Sequence, residues 1–155
     1  MNPDIHGLWP ALLLPVTADG TLDTPRALAH AKRMLDAGCD GVTLFGTTGE
    51  GPAFTIAERK GLLEAMLAHG IRPDQIIVTT TALALGDAIE LGRHASGLGV
   101  HRQMLMPPFF FNQPKDAGII EAGSHVVRGI GDDGLKLLLY HFPFMSTFGF
   151  SHAAL

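Results

Sequence analysis

Three clusters in this sequence carry residue types that can do chemistry. The first is Gly46-Thr47-Thr48-Gly49-Glu50-Gly51, which lies between a short apolar run and a helix start. Glycines let a backbone turn its N–H groups toward an anion, threonine hydroxyls add donors, and the dipole of a following helix favours negative charge. A carboxylate or a phosphate fits such a loop. No G-K-[ST] follows and the G-x-G-x-x-G spacing is missing, so neither a Walker loop nor a dinucleotide fingerprint is present. The residues alone leave an anion site and a plain strand-to-helix turn both open.

The second cluster is Tyr140-His141-Phe142-Pro143. A phenol at the end of a strand can relay a proton to or from a carbonyl-derived intermediate. Tyr140 is the one tyrosine in the chain, and a buried tyrosine with a satisfied hydroxyl is the competing reading. His141 reads as a partly buried neutral histidine. The third cluster, Pro107-Pro108-Phe109-Phe110-Phe111-Asn112, could wall a pocket, but core or a subunit contact is the favoured reading. The eight histidines form no H-E-x-x-H pattern, and one cysteine makes no zinc framework, so neither metal nor cofactor is expected. No G-x-S-x-G elbow is present.

These clusters need elements to hold them. Short apolar runs recur roughly every 30 residues, the size of a βα unit, with longer amphipathic stretches between them. Strands are predicted at residues 8–16, 41–45, 75–80, 103–106 and 135–139, mostly apolar on both faces as buried parallel strands are. Thr24 followed by Pro25 offers the first helix an N-cap, with Leu28, Ala31 and Leu35 on one face and Gly38 as the stop. Thr55 and Glu58 form a capping box ahead of Leu62, Leu63, Met66 and Leu67, and Gly70 ends that helix. Asp87 is expected to cap the third helix, Pro114 to open the fourth, and residues 151–155 to begin a fifth.

Two architectures fit this order, an open doubly wound sheet and part of a (β/α)8 barrel. GTTGEGP, TTALALG, PPFFFNQP and YHFPFMS each follow a predicted strand, and a barrel gathers such segments at its C-terminal face. The expectation is therefore an α/β chain, an incomplete (β/α)8 TIM barrel of about five βα units with parallel strands. Residues 1–155 read as a single domain, the N-terminal half of a barrel, ending at the start of the fifth helix.

The chain is 46% hydrophobic, enough for a core, and its formal charge of -4 comes without any basic run. Nucleic acid and anionic membrane are not expected partners, whereas small neutral or anionic metabolites remain open. Cys39 cannot form an internal disulfide and reads as a small, buried residue of a reducing compartment. The amino-terminal stretch lacks a positive leader region, and Pro10 and Pro15 interrupt its apolar run well short of the ~20 residues of a membrane span. Cytoplasm is the expected location.

In order, GLWPALLLPVTADGTLD, GVTLFGTTGEGPAFTIAERKGLL, MPPFFFNQP and LLLYHFP resemble the dihydrodipicolinate synthase and N-acetylneuraminate lyase family. GTTGE before a T-x-x-E-R helix start and the Tyr-x-x-Pro ending of the fifth strand carry the likeness. The resemblance implies a (β/α)8 barrel, usually tetrameric, in which a lysine on the sixth strand forms a Schiff base with pyruvate or another 2-oxo acid. It implies that Thr48 and its neighbours Gly46 and Gly49 hold the substrate carboxylate, that Thr47 sits in a proton relay, and that Tyr140 is the phenol shuttling the proton.

The chain departs from the family pattern in four places. Pro108-Phe109-Phe110 stands where synthases carry Pro-Tyr-Tyr, which counts against a true dihydrodipicolinate synthase. Leu14-Pro15 replaces a common Thr-Pro, and Thr79-Thr80-Thr81-Ala82 replaces a glycine-rich turn. The family lysine lies about one βα unit past Tyr-x-x-Pro, beyond these 155 residues. Lys32 and Lys60 read as solvated helix charges, Lys136 as lying ~13 Å below Tyr140 on its strand, and Lys115 as lacking the apolar surroundings that make a nucleophile. The chain is thus expected to be inactive alone and to self-associate through open barrel edges as a homo-oligomer. Alternatives are a non-catalytic 2-oxo-acid binding or regulatory remnant, and an open sheet that binds a nucleotide phosphate.

Overall fold

A computed structural model describes residues 5–154. Leu155, the last residue of the expected fifth helix, and the first four residues of the amino-terminal segment lie outside them. The chain divides into two compact units, residues 1–79 and 80–155.

The first unit contains helix α1 (Thr24–Asp36), strand β1 (Val42–Leu44), helix α2 (Ile56–Ala68) and strand β2 (Ile76–Thr79). β1 and β2 are parallel, with Val42 opposite Ile76 and Leu44 opposite Val78, and every residue of both strands is buried. The expected strand at 8–16 is a correction: it contributes one parallel bridge, Ala11 to Thr43, and one antiparallel bridge, Val16 to Leu22. Leu12 N–H donates to the Thr43 carbonyl at 3.0 Å, and Thr43 N–H to the Pro10 carbonyl at 2.9 Å. Pro10 and Pro15 have no N–H to extend that ladder.

Both helices start on side-chain caps, one of them not the cap expected. Asp23, not Thr24, caps α1, accepting the Arg26 N–H at 3.1 Å. Asp23 is held in place by its own N–H, which donates to the Pro15 carbonyl, and Thr24 becomes the first helical residue. The buried face is Ala27 and Ala31, with Leu28 and Leu35 half-buried. The capping box of α2 forms as read: Thr55 Oγ1 accepts the Glu58 N–H at 3.2 Å, and Glu58 Oε2 accepts the Thr55 N–H at 2.9 Å. Gly70, at φ 86°, ends the helix in the left-handed conformation that glycine tolerates.

In the second unit, helix α3 (Leu85–Gly97), strand β3 (Arg102–Leu105), helix α4 (Asp116–Ile130), strand β4 (Lys136–Leu139) and a short helix α5 (Pro143–Ser146) follow one another. β3 and β4 are parallel, from Arg102 opposite Lys136 to Leu105 opposite Leu139. Ala88, Leu105, Val126 and Ile130 form the core, packed by Ala82, Leu85, Ile89, Leu135 and Leu137. Buried Gln103 ties β3 to α3, its Nε2 donating to the Gly92 carbonyl at 3.0 Å and to Ser96 Oγ at 2.9 Å. Three expectations are corrected. Asp87 lies inside the first turn of α3, where its charge faces the helix dipole but caps no N–H. Pro114 precedes α4, whose first residue is Asp116 after an N-cap at Lys115. The expected helix at 151–155 is a 3₁₀ turn over His152–Ala154, and Pro143, suited to a first helical position, starts α5 earlier instead. The chain is α/β, its parallel strands alternating with helices as in part of a (β/α)8 barrel.

Candidate functional site

The Gly46–Gly51 loop begins with a backbone bend. Phe45, fully buried at the end of β1, has φ 60°, and Glu50 has φ 54°, both in the left-handed region that side chains disfavour. The loop then folds on itself: the N–H groups of Gly49 and Gly51 both donate to the Gly46 carbonyl at 3.1 Å, and Glu50 N–H donates to the Thr47 carbonyl at 3.1 Å. Gly46, Gly49 and Gly51 are buried, Thr47 is half-buried and Thr48 is exposed.

The glycines are required for close approach. A Cβ at Gly49 would strike the Leu12 carbonyl oxygen and come within 3.2 Å of Leu14 Cγ, and one at Gly51 would strike the Phe45 backbone. The N–H of Gly49 is spent inside the loop and is not offered to an anion. Thr48 is different: its N–H and hydroxyl make no hydrogen bond with another described residue. The expected contribution of the helix dipole is corrected too. A 3₁₀ turn at Gly51–Ala53 intervenes before α2, and the amino end of α2 is filled by the Glu58 carboxylate. That carboxylate also accepts the Leu22 N–H, and its pKa is lowered chiefly by the Thr55 hydroxyl.

Arg59 ends the T-x-x-E-R helix start, but the sequence assigned it no role at the site. It is 2% exposed, donates through Nη2 to the Thr79 carbonyl at 2.5 Å, and holds its guanidinium 5.3 Å from the centre of the Phe45 ring. Phe54 meets the same ring edge-on at 6.4 Å. One buried cation thus joins α2, the end of β2 and the bend that presents Gly46 to Thr48. The sequence held a signal for it: Arg59 occupies the i position of an i, i+3, i+4, i+7 stripe with Leu62, Leu63 and Met66, the face that α2 buries. The neighbouring Thr79 hydroxyl is buried without a hydrogen-bond partner.

Tyr140 belongs to the second unit. Its N–H donates to the Leu105 carbonyl at 2.8 Å, continuing the β3–β4 ladder, and its half-buried ring stacks on Phe142 at 5.6 Å and 19°. Phe142 in turn meets Phe144 at 6.0 Å. His141 is exposed rather than partly buried, and its Nδ1 accepts the Phe150 N–H at 3.2 Å. The core reading of the third cluster is corrected: Pro107 is buried, but Phe110 and Phe111 are exposed and meet only edge-on at 5.8 Å. Pro107 and Pro108 line an apolar cavity of about 20 Å³, room for one water-sized molecule, and Phe109 to Phe111 do not contribute to it.

The structure therefore brings Gly46, Thr47, Thr48 and Gly49 together in one loop of the first unit and sets Tyr140 at the end of β4 in the second. Of the lysines, Lys32 and Lys115 are exposed, whereas Lys60 and Lys136 are half-buried and engaged with other groups, which corrects the reading of Lys60 as a solvated charge.

Comparison with known proteins follows the same lines. The model of the dihydrodipicolinate synthetase family matches residues 4–153. An uncharacterised DapA-like lyase of Chloroflexus aurantiacus is 37% identical over 140 residues, 89% of this chain and 46% of that protein. The crystal structure of dihydrodipicolinate synthase from Agrobacterium tumefaciens superposes with a TM-score of 0.90 at 36% identity, covering 96% of this chain and 52% of that one. N-acetylneuraminate lyase of Proteus mirabilis gives a TM-score of 0.80 at 28% identity, over 91% of this chain and 47% of its own. The chain spans about half the length of the relatives it matches.

Proposed function

The chain belongs to the dihydrodipicolinate synthetase family, and on that premise we propose that it is the carboxylate-binding part of a lyase or aldolase acting on pyruvate or another 2-oxo acid through a Schiff base. The observation that carries the reading is the loop at the end of β1. It is folded on its own carbonyls, braced by Arg59, and leaves the exposed Thr48 N–H and hydroxyl without a partner among the described residues. Two unclaimed donors on a fixed backbone suit a carboxylate. Gly46 and Gly49 shape the loop, and Thr47 and Tyr140 move the proton as the 2-oxo carbonyl becomes an imine and a carbon–carbon bond is made or broken.

The amine for that imine is proposed to come from outside these residues. Each of the four lysines sits on a helix, at a helix start or at the first residue of β4. The chain alone then binds a 2-oxo acid weakly without turning it over. Among the described residues no helix is long and apolar enough to cross a membrane, and the single cysteine supports a cytoplasmic location.

Borohydride trapping tests the reading. The purified chain is incubated with pyruvate, reduced and weighed by intact mass, while pyruvate binding is followed by ligand-observed NMR. Saturable binding that Thr48→Val weakens, with no covalent adduct, is the expected result. An adduct on Lys115 or Lys136 would overturn the claim that the amine lies elsewhere, and absence of binding would sink the carboxylate site.

A further inference from the structure

One peptide group in the second unit joins a buried threonine to Tyr140. The peptide bond between Leu105 and Met106 turns its carbonyl to one side and its N–H to the other. The Tyr140 N–H donates to the Leu105 oxygen at 2.8 Å, and the Met106 N–H donates to Thr81 Oγ1 at 2.9 Å. A trans peptide group is planar and rigid, so a tilt imposed at its N–H is passed on to its carbonyl. The two hydrogen bonds also strengthen one another, because each polarises the group they share.

The neighbouring threonine marks the contrast. Thr80 and Thr81 are both buried, in the segment that leads from β2 into α3. The Thr80 N–H donates to the Met104 carbonyl at 2.9 Å, which sets the segment alongside β3. The Thr80 hydroxyl, in contrast, is buried without a hydrogen-bond partner among the described residues. A regular parallel ladder would next direct the Met106 N–H at the Thr80 carbonyl. The Thr81 hydroxyl takes that donor.

Met106 is also the last residue by which this end of β3 can be fastened through an N–H. Pro107 and Pro108 follow, and neither has one. Met106 is 5% exposed, so an N–H released by Thr81 would be left in a buried setting, where a backbone donor needs a partner.

We propose that Thr81 is a positioning residue for Tyr140: its hydroxyl fixes the Leu105–Met106 peptide and, through that peptide's carbonyl, the backbone from which the phenol projects. Thr81 and Tyr140 flank β3 on opposite sides, two strand spacings or about 9.6 Å apart. The hydroxyl therefore does not touch the phenol, and its role is to place it. Thr79-Thr80-Thr81-Ala82 stands where the family pattern has a glycine-rich turn, so this hydroxyl is a feature of the chain in hand. Thr81, Leu105, Met106 and Tyr140 all lie within the second unit. The role rests on the reading of Tyr140 as the proton carrier. The test reads where the ring sits and not whether it moves a proton, so either can fail without the other.

Tyr140 is the one tyrosine of the chain, and tyrosine-selective isotope labelling gives an NMR spectrum of this ring alone. In the unaltered protein the Met106 amide should exchange slowly with solvent, although it lies past the end of β3; that measurement needs no variant. Thr81→Val keeps the side chain's shape and removes its hydroxyl. It should speed Met106 exchange at least about tenfold and move the Tyr140 ring signals, which the stack on Phe142 makes sensitive to small displacements, with far-UV circular dichroism unchanged. Thr81→Ser should restore both readings. Thr80→Val removes the hydroxyl that has no partner and should alter neither. Fast exchange of Met106 in the unaltered protein would overturn the proposal. So would Tyr140 signals that stay in place when the Met106 amide is released, or an equal response to Thr80→Val or Thr81→Ser.

Discussion

The ends of β1 and β4 occupy equivalent places in their βα repeats, yet they are held in different ways. At the end of β1 the backbone enters left-handed geometry at a buried phenylalanine, and a buried arginine, two close glycine contacts and a capping box hold it there. At the end of β4, Tyr140 keeps its place in the ladder and leans on a row of rings that ends at an exposed Phe144. The first is fixed by polar partners with few alternatives. The second is held by stacking, which is worth less per contact and tolerates substitution. Backbone donors that must meet a carboxylate need the first kind of support, and a side chain that moves a proton can work with the second.

Removing the brace should produce the largest change. Arg59→Ala leaves the Thr79 carbonyl without its donor and a hole under Phe45, and should cost about 3 kcal/mol in urea unfolding, with loss of pyruvate binding. If binding survives, the loop does not depend on its brace and the contrast collapses. Gly49→Ala drives a methyl into the Leu12 carbonyl and should cost about 2 kcal/mol by the same measurement.

Smaller effects separate the two ends further. Thr55→Ala should cost about 1 kcal/mol by removing the α2 cap. The accompanying pH dependence has a definite sign. The Glu58 carboxyl titrates below its ordinary value of 4.5, held there first by the Thr55 hydroxyl. The stability it lends is therefore complete above about pH 4.5 and is lost as the pH falls through its lower folded-state value. Glu58→Gln should flatten that part of the stability–pH curve, and the side chain's exposure keeps the effect small. Tyr140→Phe keeps the ring stack on Phe142 and should leave pyruvate affinity as it was. A large destabilisation would mean that the hydroxyl is a structural partner rather than a proton carrier.

Much of the repeat was legible in the order of residues. Four of the five predicted strands formed within a residue or two of where apolar runs placed them, and the Thr55–Glu58 box formed as written, because both depend on neighbours close in sequence. The run at 8–16 was apolar enough for a strand, but two prolines left it two isolated bridges. Thr24 and Asp23 are both good caps, and the choice fell to Asp23, whose own N–H is tied to Pro15 eight positions away. Phe110 and Phe111 looked like core and lie on the surface, since composition says how many rings a chain must bury and not which ones.

For the candidate site the division is similar. The sequence by itself determined that a glycine-threonine loop follows one strand and a tyrosine ends another, because residue types and turn chemistry are local. Only the tertiary structure decided that the glycines serve packing, that Thr48 keeps its donors, and that Arg59 is buried beneath the bend. Those outcomes depend on carbonyls of Leu12 and Thr79 brought beside the loop by strand pairing, and a carbonyl's position in space is not written in any one residue's identity.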